Sequence, residues 1–536
     1  MIRAGIETVY AAFADSAARW PDRPALNVLA ETDEIYGIEP GESSYTQILS
    51  AADALAERLD TAGYARGHRV MLLLENRPAY FIWWLALNRL GVSVVPVNPD
   101  LRHHELSYMI GHAEPVLAVA TPGRCADLEA AAAQAGLAMH VIALDGTIPT
   151  PRNAAMIALR DGGADNTEAA LLYTSGTTGQ PKGCILTNTY FMTAGDWYAG
   201  AGGLCALSET GERMITPLPL FHMNAMACSF MGMVVVGGCL TVLDRFHPST
   251  WWDSVAASRA TCLHYLGVMP SMLMGAPETA QDRAHSVRFG FGAGVDPKLH
   301  APFEARFGFP LVEGWAMTET GVAAAITNNI EPRRVGESCL GRPGDNIESR
   351  IIDDAGQETD TGELLVRCAG PDPRRGFFAG YFKNAAATDE AWQGGWFHTG
   401  DLVRRAPDGS VFFVDRKKNV IRRSGENIAA VEVESVLMRH LQITAAAVAP
   451  VPDDLRGDEV FACLVVTPEA DAEEIARWAL GQMAYYKVPG YIAFVDALPL
   501  TATQKIQRAT LKTTALTLLD DPATVDTRAL KKRQTA

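Results

Sequence analysis

Residues Leu171–Asn188 read LLYTSGTTGQPKGCILTN, and the chemistry they suit is the binding of a polyphosphate. A short apolar run leads into Thr174, Ser175, Gly176, Thr177, Thr178 and Gly179, with Lys182 and Gly183 close behind. Glycines let the backbone approach anionic oxygens, successive N–H groups form an anion nest, and a lysine adds a full charge. The run is not a Walker A loop, because no Gly-Lys-Ser/Thr follows at the spacing that loop requires. A solvated Ser/Thr/Gly turn between strands would explain TSGT alone, but not the whole of YTSGTTGQPKG.

YTSGTTGQPKG resembles the phosphate-binding signature of the adenylate-forming superfamily: acyl-CoA synthetases, luciferases and peptide synthetase adenylation domains. Further segments resemble that family's motifs, in its order, over nearly the whole chain. The resemblance implies that Thr174 to Gly179 and Lys182 bind ATP. In PLFHMN it implies that His222 orients the substrate carboxylate or its gate. FGFGAGVDP is similar to the turn against adenine, with Gly292 and Ala293 at the nucleotide. Phe291 stands where many relatives have Gly, which would narrow the acyl tunnel toward a short or compact acid. The segment near His222 resembles the branch acting on small or polar acids, carnitine-type ligases among them.

EGWAMTET resembles the aromatic–small–Met-Thr-Glu pattern, placing Glu313, Gly314 and Trp315 at ATP. Trp315 replaces the usual Tyr and keeps a π face for adenine, while Ala316 replaces the usual Gly. The family roles carried over are Thr318 on the α-phosphate and Glu319, helped by Thr178, on Mg2+, an all-oxygen set that suits a hard cation. In GWFHTGDL, Asp401 corresponds to the acceptor of both ribose hydroxyls, a role natural to an ionised carboxylate. VDRKKNVIRRSGENI supplies Arg416 toward the ribose, Lys418 at the hinge and Gly425 against the CoA pantetheine. In LPLTATQKIQR, Lys505 matches the catalytic lysine, with Gln504 in place of the usual Gly. The implied reaction joins a small carboxylic acid to CoA. Acid and ATP give acyl-AMP and pyrophosphate, then acyl-AMP and CoA give acyl-CoA and AMP. Adenylation for a carrier protein, light-emitting oxidation and an inactive nucleotide-binding relative are the alternatives.

These motifs need a scaffold. AYFIWWLALNRL reads as a buried helix closed by Gly91, and VSVVPVNP as a strand after it. Such alternation predicts an α/β fold, with parallel sheets covered by helices. NIESRIIDD, GELLVRC and GSVFFVD read as short strands between turns, a β-rich subdomain over about 346–414. The expected architecture is a large N-terminal domain over 1–414, a hinge at 415–418 and a small mobile α+β C-terminal domain over 419–536. The polar tail after Leu519 is expected to be peripheral. MIRAGIETVYAAFADSAARW reads as an amphipathic helix and not a signal peptide. Met223–Leu243 carries no charge and matches a bilayer span in length, but Gly237-Gly238 breaks it into a buried helix, a turn and a core strand.

At 536 residues the chain exceeds what one core supports, and its 48% apolar and 20% charged residues are ordinary globular composition. A net charge of −16 argues against nucleic-acid binding, which needs a basic face. Nine scattered cysteines without a CxxC pair fit reduced thiols in a cytoplasm. No transmembrane segment is expected, and a homo-oligomer stays open.

Overall fold

A computed structural model describes residues 1–152, 163–174, 180–416, 420–499 and 506–532. The described residues build four sheets with helices between them. The largest orders its strands Gly321–Thr327, Leu311–Met317, Phe289–Ala293, Cys262–Leu266, Arg213–Thr216, Cys239–Val242, Pro24–Val28 and Gly41–Ser44. Its inner pairs are parallel, so their carboxyl ends finish on one edge. A seven-stranded sheet contains the parallel strands Arg69–Leu73, Ser93–Pro96 and Leu117–Ala120. All five residues of Arg69–Leu73 are buried, as expected for a parallel strand covered on both faces. A five-stranded antiparallel sheet gathers Ile347–Ile352, Thr361–Cys368, Phe397–Arg405, Val411–Arg416 and Cys339–Gly341, the β-rich segment expected from its turn-punctuated strands. A six-stranded sheet with its own helices completes a smaller C-terminal domain.

The helix Pro78–Arg89 starts with Pro at its first turn and buries Phe81 and Trp84 completely. Both rings pack on Phe230, at centroid distances of 4.5 and 5.5 Å. Phe230 ends a π-helix, Asn224–Phe230, that continues as the α-helix Met231–Val236. Gly237 then reverses the chain with φ +63, where the Trp20 ring leaves no room for a side chain, and the strand Cys239–Val242 follows. The uncharged run Met223–Leu243 is thus core, and no helix among the described residues is long and apolar enough to cross a membrane.

One expectation fails. The segment after Leu519 is not peripheral. Val525–Asp526 pairs with Tyr491–Phe494 as a further strand, and Lys531 is buried against Glu459. Glu459 also accepts from Arg423 at 2.8 Å, so one buried carboxylate serves two cations. A polar sequence concealed this, because the lysine's partner lies 72 residues away. Lys531→Met takes one of two buried partners from the Glu459 carboxylate, which keeps Arg423, and should cost about 1–3 kcal/mol. A lowered unfolding midpoint of the C-terminal domain in differential scanning calorimetry is expected, and an unchanged midpoint would refute the tail's role.

Candidate active site

The carboxyl ends of the parallel strands open onto a cavity of roughly 650 Å³, where α/β sheets generally bind ligands. It is lined by Thr174, Lys182, His222, Gly292, Ala293, Gly314, Trp315, Thr318, Glu319, Asp401 and Gly425. Residues from all four sheets therefore meet there. Ser175, Gly176, Thr177, Thr178, Gly179, Lys418, Gln504 and Lys505 lie outside the described residues.

Strands Glu168–Thr174 and Lys182–Thr187 form an antiparallel pair in which Thr174 faces Lys182, so the glycine-rich run connects the two arms of a hairpin. Gly380–Tyr381 adds to this sheet beside Cys184. Tyr381 then donates to Glu319 Oε1 at 2.8 Å, and Lys182 Nζ sits 4.6 Å from the Tyr381 ring centre. Burial, and then the Glu319 charge, push the Tyr381 phenol well above its ordinary pKa, so it stays a donor. Glu319 forms no ion pair with a described residue, although it is 8% exposed. The turn that presents Thr318 and Glu319 joins Leu311–Met317 to Gly321–Thr327. Thr320 closes it by accepting from the Met317 N–H at 3.0 Å, and Tyr190 donates to the Thr318 carbonyl at 3.0 Å.

Asp401 is almost fully buried on the strand Phe397–Arg405. Its Oδ2 accepts from the indole Nε1 of Trp315 at 2.8 Å, and its backbone pairs directly with Arg416 on the next strand. Trp315 was expected only to offer a π face, so this bond is an addition to that reading. At Gly292 a side chain would lie 2.2 Å from the Tyr265 carbonyl oxygen, so the strand can approach its neighbour only as glycine. Glu313, expected at the nucleotide, is not among the residues lining the cavity. Its side chain is turned off the cavity, accepting from the Val295 N–H at 3.2 Å and lying 3.8 Å from His300 Nδ1. Burial raises its pKa, partly offset by His300.

The smaller domain closes one side. Gly425, with φ +91, brings its loop against Leu266, and Glu426 Oε2 lies 3.4 Å from His222 Nε2. Behind them Lys487 is buried between Glu105 of the large domain and Glu432 of its own, at 2.6 and 2.7 Å. Burial works against the Lys487 charge, but Glu105 and Glu432 outweigh it and raise its pKa. Tyr381, Glu105 and Lys487 were not singled out from sequence. Each belongs to no motif, and each finds its partner far along the chain.

A family profile described as AMP-binding enzyme matches residues 13–382, and one described as AMP-binding enzyme C-terminal domain matches 432–505. Crotonobetaine/carnitine–CoA ligase of Escherichia coli O17:K52:H18 is 29% identical over 487 residues, 88% of this chain and 93% of that protein. An o-succinylbenzoate CoA synthetase variant from Bacillus subtilis, bound to a product analogue, superposes with a TM-score of 0.80 at 25% identity, over 94% of this chain and 98% of that one. A malonyl-CoA ligase holding methylmalonyl-CoA and AMP gives 0.73 at 28% identity, over 89% and 97%.

The buried Lys487 bridge makes a prediction of its own. Glu105→Gln leaves Lys487 with one carboxylate and should weaken docking of the smaller domain by on the order of 3 kcal/mol. Faster limited proteolysis around residues 415–425 is the expected readout, and an unaltered cleavage rate would count against the bridge as a clasp.

Proposed function

The chain belongs to the AMP-binding enzyme family and is an AMP-forming acid–CoA ligase, and we propose how its residues divide that work. A carboxylic acid, ATP and CoA are its substrates. In the first half-reaction the acid's carboxylate oxygen attacks the α-phosphorus of ATP and pyrophosphate leaves. In the second, the CoA sulfur attacks the acyl carbon of acyl-AMP, its proton is lost and AMP leaves.

Thr174 to Gly179 and Lys182 hold the phosphates, Thr318 meets the α-phosphate, and Gly292, Ala293, Gly314 and Trp315 take the adenine. Asp401 accepts from the ribose hydroxyls, with Arg416 beside it. Glu313 acts through the turn it supports. Glu319, with Thr178, is the carboxylate suited to Mg2+: it lies in the cavity, is oriented by Tyr381 and has no cationic partner among the described residues. Bound there, Mg2+ would offset the charge of the phosphate oxygens. Little covalent work falls to the protein, whose task is to align carboxylate and phosphorus and to neutralise charge.

What carries this reading is the meeting of Lys182, Glu319, Asp401 and His222 in one cavity although they span more than two hundred residues of sequence. Gly425 and Glu426 at the cavity support an arrangement poised for thioester formation, with the pantetheine passing Gly425. Adenylation then calls for rotation of residues 419–536 about Lys418, bringing in Lys505 and withdrawing Gly425. The free cysteines suit a reducing cytoplasm.

Pyrophosphate release that needs both ATP and an acid, followed by CoA thioester formation, tests the reading. Silence across a broad acid panel would overturn it. Lys505→Ala should slow adenylation on the order of a hundredfold while thioester formation from supplied acyl-adenylate persists. Equal loss of both half-reactions would remove Lys505 from its role. Trp315→Phe deletes a hydrogen bond to a charged group and should raise the KM for ATP about tenfold. An unchanged KM would show that the indole bond does not prepare Asp401.

A further inference from the structure

Beyond the nucleotide motifs, the cavity extends to a wall built from the helix Asn188–Gly200, the π-helix Asn224–Phe230 and the strands Cys262–Leu266, Phe289–Ala293 and Gly321–Thr327. None of these elements sends a charged side chain onto the cavity. Phe291 packs on Trp197 at 5.9 Å between centroids and fills the space beside Gly314.

Among the described residues of this wall that line the cavity, Asn224 is the one carboxamide. Asn224 begins the π-helix and lines the cavity, and a buried chain of hydrogen bonds holds it from behind. Tyr198 Oη lies 2.8 Å from His264 Nε2, and His264 Nδ1 lies 2.7 Å from Asn224 Oδ1 and 2.8 Å from Ser229 Oγ. Tyr198, His264 and Ser229 have no exposure at all. Burial holds the imidazole neutral, its pKa lowered to about 3, and keeps the Tyr198 phenol protonated.

A neutral imidazole has one donor and one acceptor nitrogen, so the direction of the chain can be worked out. With the proton on Nδ1, Tyr198 donates to Nε2, Nδ1–H donates to Asn224 Oδ1, and Ser229 donates to the main-chain carbonyl of Asn224 at 3.4 Å. Every buried hydrogen then has an acceptor. With the proton on Nε2, the Tyr198 hydrogen has no acceptor among the described residues, a costly arrangement for a group with no solvent exposure. The first direction therefore stands. It occupies Asn224 Oδ1 and leaves the side-chain N–H groups of Asn224, which no described residue accepts from, for the cavity.

We propose that Asn224 is a specificity-determining donor, and that the acid is compact and carries an uncharged oxygen acceptor (a carbonyl, ether or hydroxyl oxygen) remote from its carboxyl. The inference rests on the acid–CoA ligase reading and deepens it. A tail without an acceptor would bury the Asn224 amide unpaired. A second carboxylate or an ammonium group would meet no counter-charge on this wall. Tyr198, His264 and Ser229 are positioning residues, setting which end of the Asn224 amide faces the acid.

The test is kcat/KM for pyrophosphate release with matched acid pairs: 4-oxopentanoic against 4-methylpentanoic, 3-hydroxybutanoic against 3-methylbutanoic, and 4-hydroxybenzoic against 4-methylbenzoic acid. Among the pairs that turn over, the oxygen-bearing member should lead by at least about tenfold, since a site built to donate rejects a partner lacking the acceptor. Asn224→Leu, close in size, should erase that lead with the KM for ATP unmoved. Tyr198→Phe removes the donor that holds His264 Nε2 in place, loosening the ring behind Asn224, so it should reduce the lead in a protein whose unfolding midpoint reports its folding independently. Equal use of both members, a lead that survives Asn224→Leu, or better turnover of dicarboxylic or betaine acids would overturn the proposal. Absence of turnover with every acid, charged ones included, would instead overturn the ligase reading beneath it.

Discussion

The hydrogen bond from the Trp315 indole to Asp401 is where the large domain's separate sheets become one site. Trp315 lies on a strand of the eight-stranded sheet, and Asp401 on the five-stranded antiparallel one. A carboxylate that is 1% exposed requires partners, and the indole supplies a rigid one from the neighbouring sheet. Glu319 is reached from the same strand by a tight turn, and Tyr381 brings the seven-stranded sheet to it. Each sheet on its own presents only part of the chemistry. Charge-assisted bonds across their borders assemble the rest without a covalent link.

Much of this was legible because it is local. The glycine-rich run between two strands, the burial of PAYFIWWLALNR and the break at Gly237-Gly238 follow from neighbouring residues alone. The convergence of Lys182, Glu319 and Asp401 came from the resemblance of three short motifs to known ones, whereas their geometry came only from the fold. Glu313 shows the limit of motif reading. It sits one residue from a cavity-lining glycine, but its carboxylate is taken by the Val295 N–H and lies toward His300.

What sequence did not disclose depends on pairs distant along the chain. Lys531 looked like part of a solvated tail and is a buried partner of Glu459. Lys487 and Glu105 join the two domains across 382 residues, in a bridge without a local signature. His264 lies in an apolar strand, CLHYL, where a histidine reads as neutral core. Only its three hydrogen-bonding neighbours reveal that it orients a side chain at the cavity.

The wide turns of Asn224–Phe230 carry a consequence for how this family can diversify. A π-helix is an α-helix with a residue's worth of slack, often kept at working sites. Its far end is pinned by the rings packed around Phe230, so loss of one residue from it would be absorbed toward Asn224, breaking its bond to His264 and rotating it by about a hundred degrees. A single codon deletion would thereby re-aim Asn224 together with the PLFHMN segment it ends, changing the group offered to the acyl tail while leaving YTSGTTGQPKG, EGWAMTET and GWFHTGDL in register.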